Sequence, residues 1–287
     1  MNAFSRSWAI TKSTFRIMSE DKSMLLFPFI ASIFSVLVFI AFVVPYVFTD
    51  IFVAAGATSE ILSYVLLFLF YLGIVFVATF ANVGVVYIAK NAFEGKKTSF
   101  GEAFGFAMSR LYQIFLWSVV SAVVGVLLSL LERFARSRGG MGGIMLSVLR
   151  SLAGMAWSIV SLFVVPAIVY EGVGPFDALK QSASTLKKTW GESLIRHFGL
   201  GFMHFISNVI GIVVGIGLLF LLAALAAPGI VYIILICLLF IYFILVNYVF
   251  SVANAIFNAA LYHYAKTNTV PKAFSQADLP NTFSTQR

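Results

Sequence analysis

The chain has 287 residues, of which 61% are hydrophobic and only 10% are charged, and its mean hydropathy is +1.01. Soluble domains carry about 25% charged residues, so this chain has too little polar surface to stay in water, and the excess apolar surface must face lipid. The formal net charge is +8. The basic residues lie in short blocks between apolar runs, which is typical of membrane topology and gives no support for nucleic-acid binding.

The N-terminal region predicts an amphipathic helix followed by a membrane span. Phe4, Trp8, Phe15 and Met18 fall on one helical face, and the basic residues lie largely off that stripe. Such a helix either lies in the headgroup plane, with its cations facing anionic lipid, or packs as a solvated helix on its own protein. The apolar run at 25–48 is longer than the core of a signal peptide, so it predicts a retained span.

Five further apolar runs follow the first one along the chain. Each exceeds the about 20 residues that cross a hydrocarbon core about 30 Å thick, so we expect six spans and both termini on one side. Fifteen of the 19 Lys and Arg residues fall on that side, which the positive-inside rule assigns to the cytoplasm. The five runs cover about 61–89, 111–131, 144–170, 197–226 and 230–262.

These observations predict an all-α, polytopic protein of the cell membrane, with six transmembrane helices in three hairpins. Residues 1–270 form a single six-span domain, and residues 271–287 form a short, disordered cytoplasmic tail. One connection on the outer side departs from the charge rule, because it holds Arg133, Arg136 and Arg138. A bound anion or lipid headgroup and a merely solvated loop are both compatible with that cluster.

Three cytoplasmic amphipathic helices are expected to precede the three hairpins. The second begins at Phe100 and the third at Phe176, each after an aromatic-Glu-Gly turn and each with an acidic residue in its first turn, which suits the helix dipole. The chain therefore resembles three copies of one unit, although chance similarity between short junctions is the alternative. The side chains expected to anchor these helices in the lipid interface are Trp8, Phe15, Phe100, Phe104, Phe176 and Trp190.

The junction after the fourth run also carries a longer pattern, Pro…Glu-Gly…Pro-x-x-Ala…Ser…Trp. With it, the chain resembles a broad group of poorly characterised six-helix membrane proteins, and is similar to the membrane domain attached to some bacterial glycerophosphodiester phosphodiesterases. Trp8 and the later Leu-Phe-Pro at 26–28 resemble a family of unknown function with the same layout. The resemblance implies a fold and no catalytic residue. Its matching residues are Pro166, Glu171, Gly172, Pro175, Ala178, Ser182 and Trp190.

A polar stripe marks the last two runs. Asn247, Ser251, Asn254 and Asn258 are spaced by four, three and four residues, which places them on one side of the last helix. Equal counting back from the Ala-Ala-Pro-Gly turn at 226–229 gives antiparallel neighbours. The count pairs Asn208 with Asn247, His204 with Ser251, Gly201 with Asn254 and His197 with Asn258. Asn82, in a similar Ala-Asn context in the second run, is a candidate equivalent position.

Two interpretations of this stripe stay open. The polar side chains join the two helices, helped by glycines that let the backbones approach, or they line a polar cavity for an ion, headgroup or peptide segment. A histidine metal site has less support, because His197 and His204 lie about 10 Å apart along the helix axis.

The sequence does not define a biochemical activity. No run has an acidic or basic residue at its middle, and no phosphate-binding loop, zinc motif or nucleophile–base set is visible, so we expect no enzyme and no cofactor. The leading hypothesis is a membrane scaffold or assembly component that binds lipid, with anionic lipids at the cytoplasmic face, or binds a protein partner or a second copy. The alternative is a transporter or channel that uses the polar stripe.

Overall fold

A computed structural model describes residues 3–54, 60–189, 200–226, 228–269 and 271. Within these ranges the backbone forms ten helices and no strand. His197, Trp190 and residues 272–287 lie outside the described residues, as do the side chains of Phe4 and Trp8. The helices are α1 (Ala3–Glu20), α2 (Ser23–Ala54), α3 (Glu60–Phe93), α4 (Phe100–Ser109), α5 (Leu111–Arg138), α6 (Gly140–Val160), α7 (Val164–Glu171), α8 (Pro175–Lys188), α9 (Phe202–Ala224) and α10 (Gly229–Thr267).

The prediction of six apolar segments long enough to cross a membrane is confirmed. Five of them are single helices, α2, α3, α5, α9 and α10, and the sixth runs through α6 and α7 together. Large apolar side chains remain exposed along their outer faces, for example Phe39 at 53%, Ile216 at 50% and Phe240 at 66%. Such surface is stable only when hydrocarbon surrounds it, so the fold is that of a membrane protein.

The fourth segment is broken, whereas the sequence predicts one continuous run at 144–170. A turn at residues 161–163 separates α6 from α7. The N–H of Phe163, released by the break, donates to the Ser182 hydroxyl of α8 over 2.9 Å, and both residues are fully buried. Pro166 lies in the first turn of α7, where its missing N–H removes no intrahelical hydrogen bond. A side chain of the next helix therefore satisfies the backbone N–H that the break leaves without a partner.

The buried core lies at one end of the bundle, which we call the capped end because α1, α4 and α8 pack there. It is formed mainly by the last turns of α3, most of α7 and the last third of α10. Phe15 of α1 packs edge-on against Phe250 of α10, and the rings of Phe27 and Phe100 join α2 to α4.

The two short helices α4 and α8 turn their small residues toward this core. Ala103 and Ala107 of α4 are fully buried, as are Ala178 and Ser182 of α8. Phe176, by contrast, is 74% exposed. Small side chains allow close approach of backbones. Phe100 of α4 and Leu179 and Leu186 of α8 also pack against the core, so part of the predicted apolar stripe does contact the protein.

Candidate functional site

The asparagine side chains of the polar stripe form most of their hydrogen bonds within their own helices. The side-chain amides of Asn208, Asn247 and Asn254 each donate 2.8 Å hydrogen bonds to the carbonyl oxygen four residues earlier on the same helix. A side-chain bond between the helices joins His204 Nε2 to Asn247 Oδ1 at 3.0 Å, with the imidazole as donor. The His204 ring also stacks on Phe250, with centroids 4.8 Å apart. This arrangement joins α9 to α10.

The pairing differs from the one expected by equal counting. Gly211 and Gly215 do face α10, since a Cβ added to them would lie 2.3 Å from Tyr242 and 2.9 Å from Leu239, respectively, whereas equal counting pairs them with Ile244 and Phe240. The offset is larger further from the turn, where the Tyr242 hydroxyl donates to the Ser207 carbonyl over 2.7 Å. Equal counting assumes two straight antiparallel helices whose axes do not cross, so a crossing angle between them shifts later pairs.

The other stripe residues occupy different environments. His204 pairs with Asn247 where equal counting expected Ser251, and Ser251 is exposed. Asn254 and Asn258 are half-buried on α10. Asn82 is half-buried on α3. The arrangement brings His204 and Asn247 together and does not bring the whole stripe into one cluster.

An apolar groove beside the capped end is a second candidate site, which the sequence analysis did not identify. It encloses about 350 Å³ between α2, α3 and α4. The expected interface anchors Phe100 and Phe104 line it, and the Phe104 ring packs edge-on against Phe80 at 5.4 Å. The remaining lining residues are Phe27, Ile30, Ala31, Phe34, Phe76, Val77, Ala81, Met108 and Leu111. Such a cavity offers apolar contact and almost no hydrogen bonding.

A polar pocket of about 650 Å³ adjoins this groove, between the α1–α2 junction and the loop that leads into α4. Lys96 and Lys97 line it together with Glu20, Asp21 and Glu102. Local hydrogen bonds connect the end of this loop to α4. Ser99 and Glu102 form a reciprocal capping box at the start of α4.

One of the two lysines in this pocket is already paired. Lys96 bonds to Glu94 over 2.7 Å, and that hydrogen bond holds the pKa of the Glu94 carboxyl below its usual value. Lys97 has no ion pair in the part of the chain that the structure describes.

A third polar cluster surrounds the Glu-Gly turn at the capped end. The carboxylate of Glu171 pairs with Lys266 at 2.5 Å and also accepts from the hydroxyl of Tyr262, which lies 2.6 Å from Gln181. Gly172 has a φ of 66°, and a Cβ there would lie 2.4 Å from the guanidinium of Arg110, so the turn requires glycine. Glu171 and Gly172 were predicted from the sequence to form a turn. No sequence pattern indicated that Glu171 contacts Tyr262 and Lys266, about ninety positions away.

The arginine cluster at the opposite end of the bundle lies among charged and aromatic partners. Glu132 forms ion pairs with Arg136 and, at 3.3 Å, with Arg150, while the Arg133 guanidinium lies 5.1 Å from the centre of the Tyr64 ring. These charges are therefore held largely by local partners. Among the described residues, no group of three His, Cys, Asp or Glu side chains is placed to hold a metal ion.

The six apolar segments and the core at one end define a multi-pass α-helical membrane protein. The sequence pattern of the family of unknown function DUF6159 matches residues 61–271, and the chain belongs to that family. No curated protein matches the chain significantly. The family match agrees with the resemblance to uncharacterised membrane proteins, whereas the similarity to the membrane domain of glycerophosphodiester phosphodiesterases finds no support among these matches.

Proposed function

We propose that this protein is a non-enzymatic, lipid-binding scaffold of the cell membrane, and that the apolar groove holds an acyl chain of a bilayer phospholipid. The groove carries this proposal. Aromatic and aliphatic side chains of the spans α2 and α3 line it, and α4 covers it on one side. Because the outer faces of the spans are apolar and exposed, lipid is the solvent at this depth, and an acyl chain is the molecule that fits an apolar wall there.

The proposed topology has three hairpins, with both termini and all three short helices in the cytoplasm. Neighbouring spans touch within each pair, which supports the hairpins: Phe39 with Phe70, Trp117 with Trp157, and Tyr242 with the Ser207 carbonyl. The clustering of Lys and Arg at the capped end supports the orientation. The exposed ring of Phe176 supports an interfacial position for α8.

Lipid retention by groove variants tests the proposed function. The wild-type protein, purified in mild detergent, is expected to retain about one phospholipid per chain in native mass spectrometry. Ala31→Phe places a ring in the groove and is expected to remove that lipid. Ala41→Phe, at an exposed position on the same helix, serves as the matched control and is expected to retain it.

Thermal unfolding of both variants separates loss of lipid from loss of fold. The proposal is overturned if the wild-type protein retains no lipid. It is also overturned if Ala31→Phe and Ala41→Phe, both folded, retain lipid equally.

A further inference from the structure

The polar pocket and the apolar groove share the same two helix starts. Ser23 of α2 and Ser99 at the start of α4 line the pocket, while Phe27 and Phe100, four residues and one residue further along, line the groove. The rings of Phe27 and Phe100 lie 4.8 Å apart at the boundary. A polar chamber next to an apolar one, at the end of a membrane bundle, has the form of a site for one amphipathic molecule.

The charges around the pocket point to the chemistry of its polar ligand. Three carboxylates, Glu20, Asp21 and Glu102, line the pocket with two lysines, and Lys96 is already paired with Glu94 outside it. A purely anionic headgroup would meet more negative than positive charge here. A headgroup with both a phosphate and a cationic group matches the lining better.

Two of the carboxylates are held in place by the backbone. Asp21 accepts from the N–H of Ser23 at 3.1 Å, and Glu102 accepts from the N–H of Ser99 at 2.9 Å. Only one oxygen of each is used in this way, and within the described residues the second oxygen has no hydrogen-bond donor. Fixed carboxylates with an unused oxygen are good acceptors for an ammonium group that carries N–H donors.

We propose that the pocket selects phospholipids whose headgroup bears a primary ammonium group. The ammonium donates to Asp21 and Glu102, Lys97 contacts the phosphate, and the acyl chain enters the groove. This inference rests on the proposed function, since it names the class of lipid for the same site. A choline headgroup has the same charge and no N–H donor, so it is the discriminating competitor.

The test measures headgroup preference at constant acyl chain. The full-length protein is equilibrated in mixed micelles that contain equal amounts of phosphatidylethanolamine, phosphatidylcholine and phosphatidylglycerol with identical acyl chains. These are the ethanolamine, choline and glycerol lipids of the comparison. The bound lipid is identified by native mass spectrometry. We expect the ethanolamine lipid to be enriched about three- to tenfold over the choline lipid, as for two charge-assisted hydrogen bonds that solvent weakens in a partly open pocket.

Isosteric variants connect the preference to the pocket. Asp21→Asn with Glu102→Gln removes both charges yet keeps side chains that can cap the two helices, and the enrichment is expected to fall to about onefold. Asp177→Asn, in the first turn of α8 and outside the pocket, is the matched control and is expected to leave the enrichment unchanged. Lys97→Gln is expected to lower retention of all three lipids without changing their ratio.

The outcomes separate the inference from the proposed function. Lipid retention with no ethanolamine preference, or with enrichment of the glycerol lipid, overturns the inference and leaves the groove proposal standing. A preference that survives in the double variant also overturns it, because the selecting group then lies elsewhere. Absence of any bound lipid in the wild-type protein overturns both.

Discussion

Replacing Ser182 with alanine is expected to destabilise the junction of α6, α7 and α8. The Ser182 hydroxyl accepts from the N–H of Phe163 at 2.9 Å, at the turn that separates α6 from α7, and both residues are fully buried. Alanine cannot accept this hydrogen bond, and no water can replace it at a buried site. The Phe163 N–H would therefore be left without an acceptor.

The expected loss is about 1–3 kcal/mol of unfolding free energy, the cost of leaving one buried donor unsatisfied. The higher helix propensity of alanine offsets about 0.5 kcal/mol of this. Ser184 provides the control, because it is on the same helix and exposed. Ser184→Ala is expected to be neutral or slightly stabilising.

Unfolding of the purified protein in one detergent, followed by tryptophan fluorescence, gives the comparison. Trp117 and Trp157 stack against each other near the break, with ring centroids 5.5 Å apart, so their emission reports on this region. Equal stability of Ser182→Ala and Ser184→Ala would refute the assignment of the Ser182 hydroxyl to the break.

Three further predictions concern helix packing and orientation. Gly211→Ala is expected to destabilise the protein by about 1–3 kcal/mol, because its methyl would lie 2.3 Å from the Tyr242 ring, whereas Gly217→Ala, where a Cβ meets open space, is expected to be neutral in the same unfolding assay. Tyr262→Phe is expected to cost about 1–2 kcal/mol, and a double-mutant cycle with Glu171→Gln should give a non-zero coupling energy. Lys97→Cys, in a variant without the native cysteine, is expected to react with an impermeant maleimide only after cells are opened; labelling of intact cells would contradict the proposed orientation.

The six spans could be predicted from sequence because the length and apolarity of a membrane helix are set by the bilayer. Each run found in the sequence corresponds to one span of the structure. Pro166 is a sequence signal for a break or kink in the fourth run, because a proline inside a helix clashes with the carbonyl four residues earlier. The acceptor for the released Phe163 N–H could not be predicted, since it is the Ser182 hydroxyl of α8, a tertiary contact.

The protein-facing sides of the short helices follow apolar periodicity only in part. The periodicity selects Ala103 and Ala107 of α4, which are buried, and Leu179 and Leu186 of α8, which pack against the core. Ala178 and Ser182 lie off the apolar stripe of α8 and are also buried, because small side chains allow close approach of helices, whereas Phe176 is exposed.

The candidate site could be predicted only in part from the sequence, because residues of separate helices form it. Phe100 and Phe104 were identified as interface anchors from their spacing, and they do line the groove. The opposite wall comes from Phe27 and Phe34 of α2 and Phe80 of α3, and no sequence pattern reports which aromatic residues of separate helices meet. The polar pocket likewise depends on the α1–α2 junction lying beside the loop before α4.

These two faces give the short helices a common physical role. A helix with alanines on one side and phenylalanines on the other can pack closely on the bundle and still present aromatic surface to lipid. In α8 that surface is open, as the exposure of Phe176 indicates. In α4 it is turned toward the gap between α2 and α3, so Phe104 forms one wall of the apolar groove. The exposed phenylalanine of α8 and the groove-lining phenylalanine of α4 therefore differ because the two helices pack on different spans.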